Sequence, residues 1–137
     1  MSRGLGDVYK RQLLADSGEY HVDDMIFQLE EQNIDDTFII PCDLNTGCFD
    51  LDKITYPLVL RHWSTGDWFC PLGMKRSKKK LSDFFTDLKF SAKQKKECLI
   101  LQSGKDIIWV VGHRIDDRYK VSPATKRVLI IKQLKRI

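Results

Sequence analysis

Apolar residues recur with two different periods along this chain. Between Tyr20 and Leu29 the apolar positions are Tyr20, Val22, Met25, Ile26, Phe27 and Leu29, interrupted by Asp23 and Asp24, a spacing closer to the period of two of a strand than to a helix. Phe38-Ile39-Ile40 before Pro41 predicts a buried strand stopped by proline, and Asn45-Thr46-Gly47 a turn leading into Cys48-Phe49-Asp50-Leu51. A further strand is predicted over Tyr56–Arg61, then turns at Ser64–Asp67 and Pro71–Gly73 flanking the short apolar piece Trp68-Phe69-Cys70. Leu81, Phe84, Phe85 and Leu88 then stand at i, i+3, i+4 and i+7, the stripe of a short amphipathic helix from about Lys79 to Leu88. Ser91 can cap another helical turn through Lys96. Cys98–Leu101 and Ile107–Val111, joined by Ser103-Gly104-Lys105-Asp106, predict a hairpin. Tyr119–Val121 and Val128–Ile131 predict the last two strands, separated by a turn at Ser122-Pro123. Strands predominate, with one or two helices inserted, which is an α+β class of fold.

The first dozen residues have no period, and Gly4 and Gly6 would spoil a helix begun there. This stretch is expected to be a tail. The string from Gly4 to Gln12 also resembles translated sequencing-adaptor sequence, so residues 1–12 are expected not to be native.

The chain's 137 residues, 42% hydrophobic and 31% charged, have the balance of one globular domain. Charge divides the chain more sharply than length does. Residues 1–57 carry 4 Lys/Arg against 12 Asp/Glu, whereas residues 58–137 carry 19 against 7, so the net +4 averages an acidic segment with a strongly basic one. No apolar run approaches the ~18 residues of a membrane span, and the start lacks the features of a signal peptide. A cytoplasmic location is expected. Cys42, Cys48, Cys70 and Cys98 are too widely spaced for a paired zinc site and are read as reduced thiols packed as small hydrophobes.

Few residues offer catalytic chemistry. His21, His62 and His113 are scattered over separate elements. The phosphate-binding patterns G-x-x-x-x-G-K-[ST] and G-x-G-x-x-G between a strand and a helix do not occur, and the acidic residues lack calcium-loop spacing. Asp23-Asp24, Asp35-Asp36 and Asp116-Asp117 each read as a solvated turn. The strongest feature is Lys75-Arg76-Ser77-Lys78-Lys79-Lys80, five positive side chains in six positions, leading into the predicted helix. Cations there oppose the helix dipole, an arrangement relieved by a nearby anion such as a nucleic-acid phosphate. Arg61, Arg114, Arg118, Lys120, Lys126 and Arg127 add positive charge in the same half, interleaved with Trp63, Trp68 and Trp109. Base stacking on a tryptophan is one use for such a ring, and core packing, expected for Trp109, is the other.

Three pieces of the basic half carry a resemblance: Leu58–Phe69; Pro71–Lys75 continuing through Lys79-Lys80-Leu81-Ser82-Asp83-Phe84-Phe85; and Ile108–Val121, with Gly112-His113-Arg114-Ile115-Asp116-Asp117-Arg118 at its centre. In order and spacing they resemble the carboxy-terminal domain of tRNA(Ile)-lysidine synthetases. The resemblance implies an ATP-dependent ligase that joins lysine to the wobble cytidine of isoleucine tRNA, with ATP and Mg²⁺ bound by an amino-terminal catalytic domain carrying a Ser-Gly-Gly-x-Asp-Ser loop. That loop is absent from this sequence. The chain is therefore expected to be the carboxy-terminal, tRNA-holding part, inactive alone, with tRNA, around its acceptor stem, and the catalytic domain as partners. The family pattern carries over Arg61, Lys75, Lys79, Lys80, Arg114, Arg118 and Lys120 as tRNA contacts; Arg76 and Lys78 join them on local charge. Gly66-Asp67 and Gly73 are expected to set turns, and Arg76 stands where many members have glycine.

The fold implied is a compact sandwich of short strands with inserted helices, similar to a module of the phenylalanyl-tRNA synthetase β chain. Residues 54–137 would form this module, and residues 13–53 the acidic end of a preceding region, either a linker or strands packed on the module. Two alternatives from other classes are a free-standing editing-like hydrolase acting on aminoacyl-tRNA, and a protein-interaction module using the acidic half.

Overall fold

A computed structural model of the chain describes residues 12–14, 18–22, 25–40, 43–74 and 77–136. The expected tail lies outside the described residues except for Gln12, as do Asp23 and Asp24. The fold is α+β, built mostly of short antiparallel strands.

One sheet has four strands in the order β2 (Gly18–Val22), β3 (Met25–Asn33), β11 (Arg127–Arg136), β4 (Thr46–Asp50). The other has five, β1 (Gln12–Leu14), β5 (Leu58–His62), β8 (Leu99–Ser103), β9 (Asp106–Val110), β10 (Arg114–Ile115). β6 (Trp68–Phe69) and β7 (Lys79–Lys80) form a two-stranded ribbon leading into α1 (Leu81–Asp87), and α2 (Ala92–Glu97) precedes β8. The strands of the acidic segment are therefore not laid end to end beside the basic one. β11, from the far end of the chain, lies between β3 and β4, with Leu129 opposite both Glu31 and Phe49.

Alternation within the strands decides what each face meets. Met25, Phe27 and Leu29 of β3, Phe49 of β4 and Leu129 and Ile131 of β11 turn to one side, where they meet Leu58, Leu60, Leu99 and Leu101 of the second sheet in the main core. In β9 the register against β8 slips at Ile108, so Ile108 and Trp109 both enter that core while Ile107 and Val110 point the other way. Trp109 is 1% exposed, as expected, and its ring meets Phe49 edge-on at 6.4 Å. On the opposite face of the five-stranded sheet, Ile100, Ile107 and Val110 pack with Phe69 and with Leu81, Phe84 and Phe85 of α1. The helix stripe predicted from Leu81, Phe84 and Phe85 is buried, while Leu88 is exposed at the end of α1.

Two expected strands are not formed. Phe38-Ile39-Ile40 has no ladder: Asp35 accepts the Thr37 N–H and hydroxyl in a tight turn, Phe38 packs over Cys48, Val128 and Ile130 on the outer face of the four-stranded sheet, and Ile39 is 83% exposed. The apolar Phe38 side chain finds its burial on the sheet face, so this segment covers the sheet instead of extending it. Tyr119–Val121 also leaves the strand conformation. Asp117–Tyr119 is a single 3₁₀ turn whose preceding residue, Asp116, accepts the Arg118 N–H.

Candidate nucleic-acid interface

The loop before the lysine run and the segment after β10 are far apart in sequence and laced together in space. Pro71 bridges Asp116; the Leu72 N–H donates to the Ile115 carbonyl at 3.0 Å and the Asp117 N–H to the Cys70 carbonyl at 2.6 Å. The Cys70 N–H donates to Asp116 Oδ2 at 2.8 Å. Gly73 takes φ +89°, a left-handed conformation that glycine adopts without a Cβ penalty, and its N–H points to Asp117 Oδ1 at 3.5 Å. Gly66, at φ +96°, similarly closes the Ser64–Asp67 turn. Both turns expected at these glycines are present.

Asp116 is the centre of this lacing. Its carboxylate is fully buried and accepts four hydrogen bonds, from the Cys70 N–H, the Arg118 N–H, Arg118 Nε and Arg118 Nη2. Arg118 Nη1 reaches Asp106 at 3.2 Å, and the Tyr119 hydroxyl donates to the other oxygen of Asp106 at 2.7 Å. The bonds to Asp116 hold Arg118 firmly in its charged form, and burial with the bond to Asp106 pushes the Tyr119 phenol up to about 12. The guanidinium so fixed lies over the Trp68 ring, 4.9 Å from its centroid. Lys78 Nζ lies over the same ring at 4.6 Å.

Around that ring is a groove of about 560 Å³, lined by Gly66, Trp68, Met74, Lys78, Lys79, Lys80 and Asp83. Lys80 and Lys78 are exposed; Lys79 is half-buried and bonds to Asp87 across α1. Lys80 precedes α1 without capping it, and the negative charge in the helix's first turn comes from Asp83. Arg114 is exposed and stands 6.0 Å from the Phe84 ring, and Lys120 pairs with Asp117 at 3.3 Å. Lys75 and Arg76 lie outside the described residues.

Arg61, like Arg118, is engaged inside the protein. Its Nη1 and Nη2 grip Asp67 at 2.9 and 3.1 Å, its Nε donates to Gln102, and Nη1 also reaches the His62 carbonyl. All three nitrogens are engaged inside the protein, and the side chain is 13% exposed. Asp67 in turn accepts the Ser64 N–H, and its carbonyl accepts the Leu81 N–H at the start of α1. Arg61 thereby ties β5 to the turn that positions the lysine-bearing ribbon.

The Asp116-Asp117 pair corrects the sequence reading. In place of a solvated turn the two carboxylates are 0% and 4% exposed. Sequence reasoning missed them because the Cys70 backbone that closes the site lies 46 positions away. Arg118 two residues on was the available signal. Asp35, by contrast, is an exposed turn residue, its carboxyl held below the usual range by the Thr37 hydroxyl and N–H. Of the tryptophans, Trp63 donates its Nε1–H to the Lys95 carbonyl and packs on Phe85, which leaves Trp68 as the ring beside the cations.

The His113 ring lies tilted against Phe90, with centroids 5.0 Å apart, and burial lowers its pKa from the usual histidine value. Cys48, Cys70 and Cys98 are free and buried, with burial raising the Cys48 and Cys98 thiols to about 11 and about 12; Cys42 lies outside the described residues. Among the described residues no group of three His, Cys, Asp or Glu side chains is placed to hold a metal ion, and no helix is long and apolar enough to cross a membrane.

Comparison with known proteins places the matched region on this same module. The family model described as the TilS substrate C-terminal domain matches residues 58–131. The tRNA(Ile)-lysidine synthase of Parabacteroides distasonis is 54% identical over 82 residues, 60% of this chain and 18% of that protein. That of Bacteroides thetaiotaomicron is 44% identical over 103 residues, 75% of this chain and 24% of that protein. The Clostridium tetani synthase is 34% identical over 123 residues, covering 90% of this chain and 26% of that protein. The chain thus spans about a quarter or less of these relatives. A crystal structure of a TilS C-terminal domain superposes with a TM-score of 0.76, covering 93% of this chain and 100% of that one, at 16% identity, a likeness of fold. The family match takes in every strand and helix that frames the Trp68 groove, and on it this chain belongs to the TilS substrate C-terminal domain family.

Proposed function

We propose that this chain is the tRNA-binding carboxy-terminal part of an ATP-dependent tRNA(Ile)-lysidine synthase, which ligates lysine to the wobble cytidine of isoleucine tRNA. The observation that carries the reading is the gathering of Lys78, Lys79 and Lys80 around one groove, on whose Trp68 ring Arg118 is also held by a buried carboxylate. Cations in such an array suit a phosphate backbone, and the lacing of residues 70–73 to 115–117 fixes their spacing before any ligand arrives. In this reading Arg114 and Lys120 extend the contact along the same segment, Lys75 and Arg76 add charge to it, and Arg61 acts by holding the Ser64–Asp67 turn. The RNA element addressed is the acceptor stem. ATP and Mg²⁺ are assigned to a catalytic domain outside this chain, whose sequence contains no Ser-Gly-Gly-x-Asp-Ser loop, and the setting is the cytoplasm, where tRNA is modified.

The test is tRNA binding as a function of salt. The chain is expected to bind tRNA with micromolar-range affinity that falls steeply as salt rises. Replacing Lys75, Lys79 and Lys80 together by Gln is expected to weaken binding and flatten the plot of log K against log salt by about one unit for each phosphate no longer neutralised. Unchanged affinity and slope in that triple variant would overturn the reading.

A further inference from the structure

We propose that the Trp68 indole is a stacking platform for one unpaired RNA nucleotide, covered in the free protein by the Lys78 ammonium, which passes to that nucleotide's phosphate on binding. The inference rests on the reading that this face meets tRNA and adds which kind of RNA element it takes. A duplex offers phosphates to the outside and keeps its bases stacked within, so lysines alone would serve it. An indole set inside a groove adds a face on which a base out of the stack can lie.

The two cations over the ring differ in how they are held. Arg118 is fixed by three bonds to Asp116 and one to Asp106, so it is part of the built site. Lys78 is exposed and makes no ion pair among the described residues; its contact is the ring itself, at 4.6 Å. An exposed cation–π contact is worth roughly two- to fivefold, whereas a base stacked on an aromatic side chain gains roughly five- to a hundredfold. The base therefore wins the ring, and the displaced ammonium stays within reach of the phosphate that arrives with it. The groove has room for the exchange: its volume of about 560 Å³ falls within the ~300–1,000 Å³ of small-molecule sites, and Gly66 on its wall has open space where a Cβ would stand.

The test compares a hairpin RNA carrying a four-nucleotide single-stranded 3′ overhang with the same hairpin ended blunt, using anisotropy for affinity and tryptophan emission for stacking. The overhang is expected to bind roughly tenfold tighter than the blunt end and to quench emission where the blunt end does not. Trp68→Ala should reduce the affinity ratio to about one, while Trp68→Phe, which keeps a ring, should retain most of it. Lys78→Gln should keep the quench and lower the salt slope for the overhang by about one unit. Equal affinity and emission for both RNAs would overturn the stacking platform while leaving tRNA binding intact. An unchanged slope in Lys78→Gln would overturn the ammonium's transfer. Binding of neither RNA at low salt would overturn the tRNA reading itself.

Discussion

Removing the Asp116 carboxylate leaves four donors without their acceptor: the Cys70 and Arg118 N–H groups and two nitrogens of the Arg118 guanidinium. Arg118 keeps its bond to Asp106 and is partly exposed, so the cost falls mainly on the buried Cys70 N–H, about 1–3 kcal/mol for a donor left unsatisfied. Asp116→Ala is accordingly expected to lose that much stability in urea unfolding, and to release Arg118 from the Trp68 ring, visible as a change in tryptophan emission of the folded protein. Arg61 and Arg118 make the same point from the other side. Each lies in a stretch that resembles the family pattern and each has its guanidinium nitrogens engaged inside the protein, yet Arg61 ties β5 to the Ser64–Asp67 turn while Arg118 is held over the Trp68 ring. Residue type alone could not separate them, because an arginine's role is decided by which carboxylate lies across from it.

At the scale of elements, local chemistry was more legible. Ser91 accepts the Gln94 N–H while the Gln94 side chain accepts the Ser91 N–H, a complete capping box for α2. The end of α1 is a Schellman turn: the Phe90 N–H donates to the Phe85 carbonyl, the Lys89 N–H to Thr86, and the two phenylalanine rings stack at 5.0 Å. Lys89 itself sits at φ +57°, where a side chain is strained and glycine is not. Lys89→Gly is expected to stabilise the protein by about 1 kcal/mol, read from the urea midpoint. The short amphipathic helix was readable because its stripe depends on residues within two turns of one another. The Phe38–Ile40 strand was misread because an apolar run is equally suited to lie over a sheet face, and the sheet it covers is assembled from residues far along the chain.

For the whole molecule the decisive strand is β11. It supplies Leu129 and Ile131 to the main core and Val128 and Ile130 to the outer face, and it joins β3 to β4. A chain ended after Lys126 keeps every residue that lines the groove and all of the acidic segment, but it leaves β3 and β4 without their common neighbour. It is expected to lose the cooperative unfolding transition and to bind the dye ANS, checked by near-UV dichroism and dye fluorescence. The charge division visible along the sequence follows the same architecture. The acidic segment supplies β2, β3 and β4 of one sheet, while the lysine-bearing ribbon and α1 lie on the far face of the other.

What the sequence determined by itself is what neighbouring residues decide together: the period of several strands, the helix stripe, the Ser91 cap, the glycine turns and the basic run, along with a family pattern written in contiguous blocks. Tertiary structure alone decided that β11 would divide the acidic strands, that Asp116 and Asp117 would be buried, and that Arg118 and Lys78 would meet at Trp68. Each of these outcomes includes a pair of residues some tens of positions apart, and the free energy of a buried charge or a stacked cation is set by what lies opposite, which a local pattern does not record.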